Sequence, residues 1–483
     1  MGERRKQCPG CRELRQEVAA LKLVVAQQAE LIRELQARLG LTSRNSSKPP
    51  SSDPPGAPRP PRSKGKGRKQ GGQPGHKGKT RPWFKPDDVD EFVAVRPSHC
   101  GGCARPLGPE AFGLLDPWRH QVVELPPVSA FVTEYLMHGA VCGACGEKTV
   151  GSLPEGVMPW AVGPRLQAVL STLSGRFRLS RREVLEAAEA LFGPKARLAL
   201  GTLVALEERT RLALTAAYEE AARAVREASI VHPDETSYYE GTHKSWLWVA
   251  ATPKVAYYRI DPQRGRAAFG RLLPDFEGSI VVDRWNAYVR HPQDQRQLCW
   301  SHLKRNFQEL VDRGFPATRV GRPGLRAADA IFEGWKRHQE GRLTLPGLDR
   351  RLAPHKRKLE RALGRGRKNQ DRKARAMAKD LRPQLACLWT FTKTDGMAPH
   401  NNLAERMIRP AVLWRKSSFG TQSGRGSRFA ECMLTVSQTL RLQGRSVLDF
   451  VERSIRAARR VDVTVRPIKA TASSAKLVHL TEA

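Results

Sequence analysis

Gly278-Ser279-Ile280-Val281-Val282-Asp283 is the stretch on which the fold turns. A turn-forming Gly-Ser pair leads into three consecutive β-branched residues, and the run closes on an acid. That is the composition of a short strand buried on both faces. Upstream, Ile230-Val231 leads to Asp234, and Ser245–Ala251 and Val255–Ile260 read as two further strands ahead of a helix over Arg266–Leu273. Downstream, Gln297–Trp300 makes a fifth short strand and His302–Val311 continues as a helix.

Three antiparallel strands followed by αβαβ is the order of a ribonuclease-H-like sheet. In such a sheet the first and fourth strands lie side by side and parallel, which brings Asp234 and Asp283 to one sheet end. A lone Asp at a strand end is usually a turn residue, but two of them on these two strands make a metal-site candidate. The third carboxylate expected is Glu405, in His400-Asn401-Asn402-Leu403-Ala404-Glu405-Arg406-Met407-Ile408-Arg409, which reads as a capped helix start followed by an acid ringed with bases. Hard Mg²⁺ (or Mn²⁺) takes oxygen ligands and keeps several waters, so three carboxylates plus a phosphate suit it. Two such ions about 3.5–4 Å apart activate the attacking oxygen and stabilise the leaving one. Arg406, Arg409, Arg415 and Lys416 then supply charge for the phosphate backbone. The competing reading of Glu405 is an ion pair with Arg409, its i+4 neighbour. Glu235, expected on the other face of its strand, and Glu240, expected in the hairpin turn, should matter less. Glu431 on the following helix is the fallback for the third acid.

The charge balance names the class of partner. The 483 residues carry 83 Lys+Arg against 48 Asp+Glu, a net charge of +35, with 40% apolar residues. The length and apolar content are enough for several domains with real cores. Positive charge on this scale, spread along the chain, marks a protein that meets a polyanion, and nucleic acid fits better than a membrane surface. No apolar run reaches the length of a membrane-spanning helix. Met1 to Arg15 is charged without an apolar stretch behind it, so neither a secretory signal nor a membrane partner is expected. The expected location is the cytoplasm, on the nucleoid.

Further towards the N-terminus, Val18, Val25, Ile32 and Leu39 recur at one heptad position, with Leu14, Leu21, Gln28 and Leu35 at the other. β-Branched residues at a with Leu at d favour a parallel two-stranded coil, hence a homo-oligomer. The same periodicity also serves an amphipathic helix packed on its own chain. Cys8-Pro-Gly-Cys11 stands at the mouth of that coil, where two chains could pool four thiolates around a zinc; a C-x-x-C without a metal reads equally well. From 42 to 81 Ser, Pro and Gly dominate, and bases including Lys64, Lys66, Arg68 and Lys69 face a single acid, Asp53. Such a segment cannot fold alone and reads as a flexible linker lying against phosphates.

Cys100-Gly-Gly-Cys103 and Cys142-Gly-Ala-Cys145 are two knuckles with Gly at the turn, separated by apparent strands at Gln121–Leu125 and Ala130–Met137. Two C-x-x-C pairs around a hairpin indicate a closed Cys₄ zinc site that folds its domain and performs no chemistry. Helices around 164–175, 180–192 and 202–227 follow, the second with a capping box at Ser180 and Glu183. They read as a DNA-binding unit or as plain helical packing. The long gap between Asp283 and Glu405 calls for a helical insertion, whose basic run from Lys356 to Arg375 is either DNA-facing or a solvated helix face. Cys299 and His302 form a C-x-x-H with too few ligands for a metal, so it is read as a structural motif beside the site.

In combination these pieces are distinctive. Asn45-Ser46-Ser47-Lys48-Pro49-Pro50-Ser51-Ser52-Asp53, Gly71-Gly72-Gln73-Pro74-Gly75-His76-Lys77-Gly78, the paired C-x-x-C region, Asp234-Glu235-Thr236, Asp283, Cys299-Trp300-Ser301-His302 and the stretch from Asn402 to Gly426 resemble the insertion-sequence family 66 transposases over almost the whole chain. The resemblance implies a DDE-type DNA transposase with Asp234, Asp283 and Glu405 at the triad positions. It also implies small accessory proteins of the same element as partners, beside double-stranded DNA as terminal inverted repeats and target. A non-catalytic zinc-containing DNA-binding regulator and a structure-selective nuclease on the same fold are the alternatives. Neither needs all of these parts. The expected division of this multidomain α/β chain is 1–41 coil, 42–84 linker, 85–155 zinc domain, 160–228 helical domain, 229–311 and 396–460 catalytic core, 312–395 insertion and 461–483 tail.

Overall fold

The computed structural model describes residues 9–39, 41–46, 81–112, 116–154, 157 and 160–459. They fall in two compact units, divided between Ala57 and Pro58 and again between Ala130 and Phe131. The heptad residues lie in one uninterrupted helix, α1 (Pro9–Leu39). Its seam residues Leu14, Val18, Leu21, Val25, Ile32 and Leu35 are all exposed, so the described part of this chain does not cover the seam. The linker reading starts too early. Thr42 to Ser46 form a turn, and buried Asn45 donates from Nδ2 to Asp312 Oδ2 at 3.0 Å.

Around the cysteines, the expected strands at Gln121–Leu125 and Ala130–Met137 are not strands. A lone hairpin is marginal in water, and nothing among the described residues buries these apolar side chains. The pairing falls instead on the shoulders of each knuckle. β1 (Gly139–Val141) and β2 (Lys148–Val150) run antiparallel on either side of Cys142–Cys145, and a His99–Pro106 bridge flanks Cys100–Cys103.

The helices that follow are α2 (Pro164–Gly175), α3 (Arg181–Phe192), α4 (Leu200–Ala213) and α5 (Thr215–Arg226). The capping box at the start of α3 is present, with Ser180 N donating to Glu183 Oε2 at 2.7 Å and Glu183 N to Ser180 Oγ at 3.3 Å. Arg181, at the start of α3, is bound to buried Glu207 of α4 at 2.8 Å, so this base serves packing.

The sheet has β3 (Ile230–Glu240), β4 (His243–Ala251), β5 (Ala256–Asp261), β6 (Ser279–Val282) and β7 (Arg296–Leu298) in the order β5-β4-β3-β6-β7. The first three strands are antiparallel, while β3–β6 and β6–β7 are parallel. The expected adjacency of first and fourth strands is therefore present. Helix α6 (Arg266–Leu272) links β5 to β6, and α7 (Trp300–Asp312) leaves β7. The long gap before Glu405 is helical, with α8 (Thr318–Gln339), α9 (Leu345–Gly366) and α10 (Arg372–Leu381). Then come α11 (Asn402–Ser418), α12 (Gly424–Leu442) and α13 (Val447–Arg459).

Two apolar layers enclose the sheet. One joins Trp248, Ile280 and Val282 to α6, α7, α8 and α9; the other joins Leu247, Val249 and Tyr258 to α11, α12 and α13. The outer edge of β5 is closed by side chains of α12. Thr439 Oγ1, Thr435 Oγ1 and Glu431 Oε1 accept the N–H groups of Ala256, Tyr258 and Ile260 at 3.1, 3.0 and 2.6 Å. Acceptors four apart along a helix thus meet donors two apart along a strand, and the edge is left with no free template for another chain. Glu431 is spent on this edge, which removes it as a fallback acid. After α11 the chain turns at Gly420, whose φ is +124° and where any Cβ would run into the Tyr239 carbonyl.

Candidate active site

β3 and β6 pair Ile230 with Ser279 and Val231 with Ile280. That stagger, carried forward, sets Asp234 level with Asp283. β6 ends at Val282, so Asp283 stands just past its strand. β3 does not end at Asp234: it continues to Glu240, pairing Asp234 with Val249 of β4, because the antiparallel ladder outlasts the parallel one. Side chains alternate along β3, so Asp234 looks towards α11 while Glu235, opposite Trp248, looks towards α6.

Glu405 reaches the same place from the first turn of α11. Its Oε1 lies 3.6 Å from His302 Nδ1 and 3.9 Å from Arg305 Nη2, both on α7. The competing pairing with Arg409 is not among its ion pairs. Asn401 does not cap α11 with its side chain. It reaches sideways instead, donating from Nδ2 to Pro233 O at 2.8 Å, with Oδ1 3.1 Å from His232 Nδ1. One asparagine thus ties the start of the Glu405 helix to the residues preceding Asp234. Sequence reasoning missed this role, since a helix-start Asn is ordinarily a cap.

The acids repel one another. Burial pushes the Asp234 carboxyl well above the usual range, and the charges of Glu235, Asp283 and Glu405 add to that. Asp283 is also raised by burial, against the opposing Trp285 N–H and the charges of Arg264 and Arg284. Its Oδ1 accepts that N–H at 2.9 Å. Glu235 is raised by burial and by Asp283, but its oxygens are engaged: Oε1 takes Arg264 at 3.0 Å and Oε2 takes the Tyr288 hydroxyl at 2.8 Å. Arg264 is itself stacked between Trp246 and Trp285, at 4.6 and 4.0 Å from the ring centres. Asp234 feels the charge of the other acids, although the three do not bring their oxygens within 4.8 Å of one another, and one oxygen each of Asp234 and Asp283 takes a backbone N–H. Carboxylates are the donors that suit a hard divalent cation, which would relieve their repulsion.

Arg406, Arg409 and Lys416 are exposed on α11, whereas Arg415 is half-buried and donates to Ser237 Oγ. Lys64, Lys66, Arg68, Lys69 and Cys8 lie outside the described residues. Cys299 Sγ, His302 Nδ1 and a Glu405 oxygen lie within 4.8 Å of one another, a grouping that needs Glu405 and so was invisible in the C-x-x-H alone. Burial pushes the Cys299 thiol up to about 11 and the His302 imidazole down to about 4. Both groups are therefore neutral at physiological pH.

The two cysteine knuckles are built alike. Cys100 N donates to Arg105 O and Ala104 N to Cys100 O, both at 2.9 Å; Cys142 N donates to Glu147 O and Gly146 N to Cys142 O, both at 2.8 Å. The residue after the second cysteine is left-handed in each, Ala104 at φ 57° and Gly146 at φ 74°. Backbone N–H groups of Cys103 and Gly102 lower the Cys100 thiol, and those of Ala144 and Cys145 lower Cys142. Turned N–H groups of this kind favour thiolate, the form that binds metal.

No helix among the described residues is long and apolar enough to cross a membrane. The chain is 26% identical over 265 residues to the uncharacterized protein y4qI of Sinorhizobium fredii, an alignment covering 48% of each chain. It thus spans about half the length of that curated relative. No solved structure matches it. Residues 4–82 match a family of unknown function, DUF6444. Residues 188–428, which span β3 to α11 and all three acids, match the family model described as Transposase IS66 family, and the chain belongs to that family.

Proposed function

We propose that this protein is a DDE-type transposase of a bacterial insertion sequence, acting on double-stranded DNA with Asp234, Asp283 and Glu405 as its acidic triad on a ribonuclease-H-like sheet. The observation that carries the reading is the convergence of these acids, from β3, the end of β6 and α11, in a chain of net charge +35. The three would hold two Mg²⁺ or Mn²⁺ ions, which supply charge stabilisation to the attacking and leaving oxygens. Strand β3 carries Asp234, Asp283 follows directly on β6, and the Trp285 N–H fixes the rotation of Asp283. Arg406 and Arg409, exposed beside Glu405, bind the phosphate backbone. The reaction is attack of water on a phosphodiester at each element end, releasing a 3′-OH and a 5′-phosphate. The freed 3′-OH then displaces a 3′-oxygen in target DNA, exchanging one ester for another.

Cys100, Cys103, Cys142 and Cys145 are read as ligands of one structural zinc, four thiolates leaving no coordination position open. The uncovered seam of α1 is read as a dimer interface, and small accessory proteins of the same element and a nucleoid location belong to the same reading. The test is cleavage of element-end DNA in Mg²⁺. Asp234→Asn, Asp283→Asn and Glu405→Gln each keep shape and remove charge, and each should lower cleavage by about 10³-fold or more. DNA binding at fixed salt should survive. Cleavage near normal in all three variants would refute the triad, and a wild-type chain that binds ends without cutting them in either metal would favour a regulator.

A further inference from the structure

The corner between β7 and α7 grips the segment that delivers Glu405. Trp300 N donates to Pro399 O at 2.9 Å, Asn401 N to Cys299 Sγ at 3.2 Å, and Ser301 Oγ to Asn402 Oδ1 at 3.2 Å. The next residue in this run is His302, in the first turn of α7, with Nδ1 3.6 Å from Glu405 Oε1. Both atoms are buried and neither has a hydrogen-bond partner. A buried polar atom left without a partner is unfavourable, so two of them facing each other mark a contact waiting to close. Cys299 Sγ is near both but already accepts the Asn401 N–H.

We infer that His302 is a positioning residue for the third acid: its Nδ1–H donates to Glu405 Oε1 and holds the carboxylate so that Oε2 remains for the catalytic cation. The inference rests on the reading of Glu405 as a metal ligand. The Glu405 side chain is 37% exposed, and left loose it would have to surrender rotamer freedom each time a cation bound. A partner behind it settles that cost in advance, as second-layer hydrogen bonds do for metal ligands generally. Closing 3.6 Å to a bond of about 3 Å takes a small side-chain rotation. Arg305 Nη2, 3.9 Å from the same oxygen, reinforces the hold from the next turn of α7. The C-x-x-H motif therefore acts twice, through Cys299 on the backbone before α11 and through His302 on the carboxylate.

The experiment uses the full chain and Mn²⁺ as probe, reading Mn²⁺ binding by paramagnetic resonance and the Mn²⁺ concentration for half-maximal cleavage of element-end DNA. His302→Ala should weaken Mn²⁺ in both readouts about 10–100-fold. His302→Asn, whose amide nitrogen reaches the place of Nδ1, should recover most of the loss, and His302→Gln, which reaches the place of Nε2, should not. Asn no better than Gln would overturn the inference, as would unchanged Mn²⁺ affinity in His302→Ala. If the Ala variant fails to fold, the Asn–Gln contrast still decides. Zinc lost on both Cys299→Ser and His302→Ala would overturn it differently, making Cys299, His302 and Glu405 a soft-metal site. Wild-type Mn²⁺ binding and cleavage by Glu405→Gln would instead remove the third-acid assignment, and the inference with it.

Discussion

Phe307 and Phe131 are the same side chain under opposite conditions. Phe307 is fully buried between α7 and α8, against Gly324, while Phe131 is 93% exposed. The contrast extends to whole regions. From 230 to 459 the chain packs two apolar layers on one sheet, with both layers drawing on distant segments. From 81 to 154 not one described residue is buried. Around the sheet, order comes from apolar burial. Around the cysteines it comes from tight backbone turns that point N–H groups at sulfur and lower the thiols of Cys100 and Cys142.

The largest expected effect tests that difference directly. A zinc chelator, or Cys142→Ser, should abolish amide protection around 99–106 and 139–150 and leave the protection of β3, β4 and β6 unchanged. Structural zinc is worth about 10–16 kcal/mol in isolated small modules, and among the described residues no hydrophobic core stands here to replace it. Metal analysis and hydrogen exchange on the same sample check both halves. Unchanged exchange at both knuckles after the metal is gone would end the zinc reading.

Next in size is the pair of phenylalanines. Phe307→Ala removes a ring from a close-packed helix crossing and should cost about 3–5 kcal/mol in urea unfolding. Phe131→Ala should change stability by no more than about 0.5 kcal/mol. An equal cost at Phe131 would mean that something covers it, and the contrast between the two regions would fall.

That contrast also explains which parts were legible in the sequence. The β-branched run at 280–282 and the strands at 243–261 carry their own burial pattern, so strand order and the level meeting of Asp234 with Asp283 could be read directly. The apolar residues at 121–137 carry a strand composition too, but strand composition needs a surface to pack on, and none among the described residues provides one. Glu405 was found by its basic surroundings, although its partner is not the neighbouring Arg409 but His302 and Arg305, on a helix distant in sequence. Asn401 was visible only as a cap, since its real bonds go to His232 and Pro233, far up the chain. Glu431 looked like a spare acid because nothing local shows that Ile260 on an edge strand needs an acceptor.

Glu431 supplies the smallest effect and the sharpest one, because it probes what burial does to a charge inside the packed region. Burial pushes its carboxyl up to about 7, against the Ile260 N–H and the charges of Arg259 and Arg428, with Glu240 adding to the rise. In the unfolded chain the group titrates near its ordinary value of about 4.3. Between those two values the folded state binds more protons than the unfolded state, so stability declines as pH rises through that window and levels off above it. Glu431→Gln keeps an oxygen for the Ile260 N–H and carries no charge at any pH. The variant should therefore match the wild type at pH 4 and be more stable by about 3 kcal/mol at pH 8. Urea unfolding at the two pH values measures the difference. A gap that stays constant with pH would show that the carboxyl does not titrate in this window. A loss at pH 8 would show that the pull of Arg259 and Arg428 outweighs burial, and the packed region would then tolerate charge better than its apolar layers suggest.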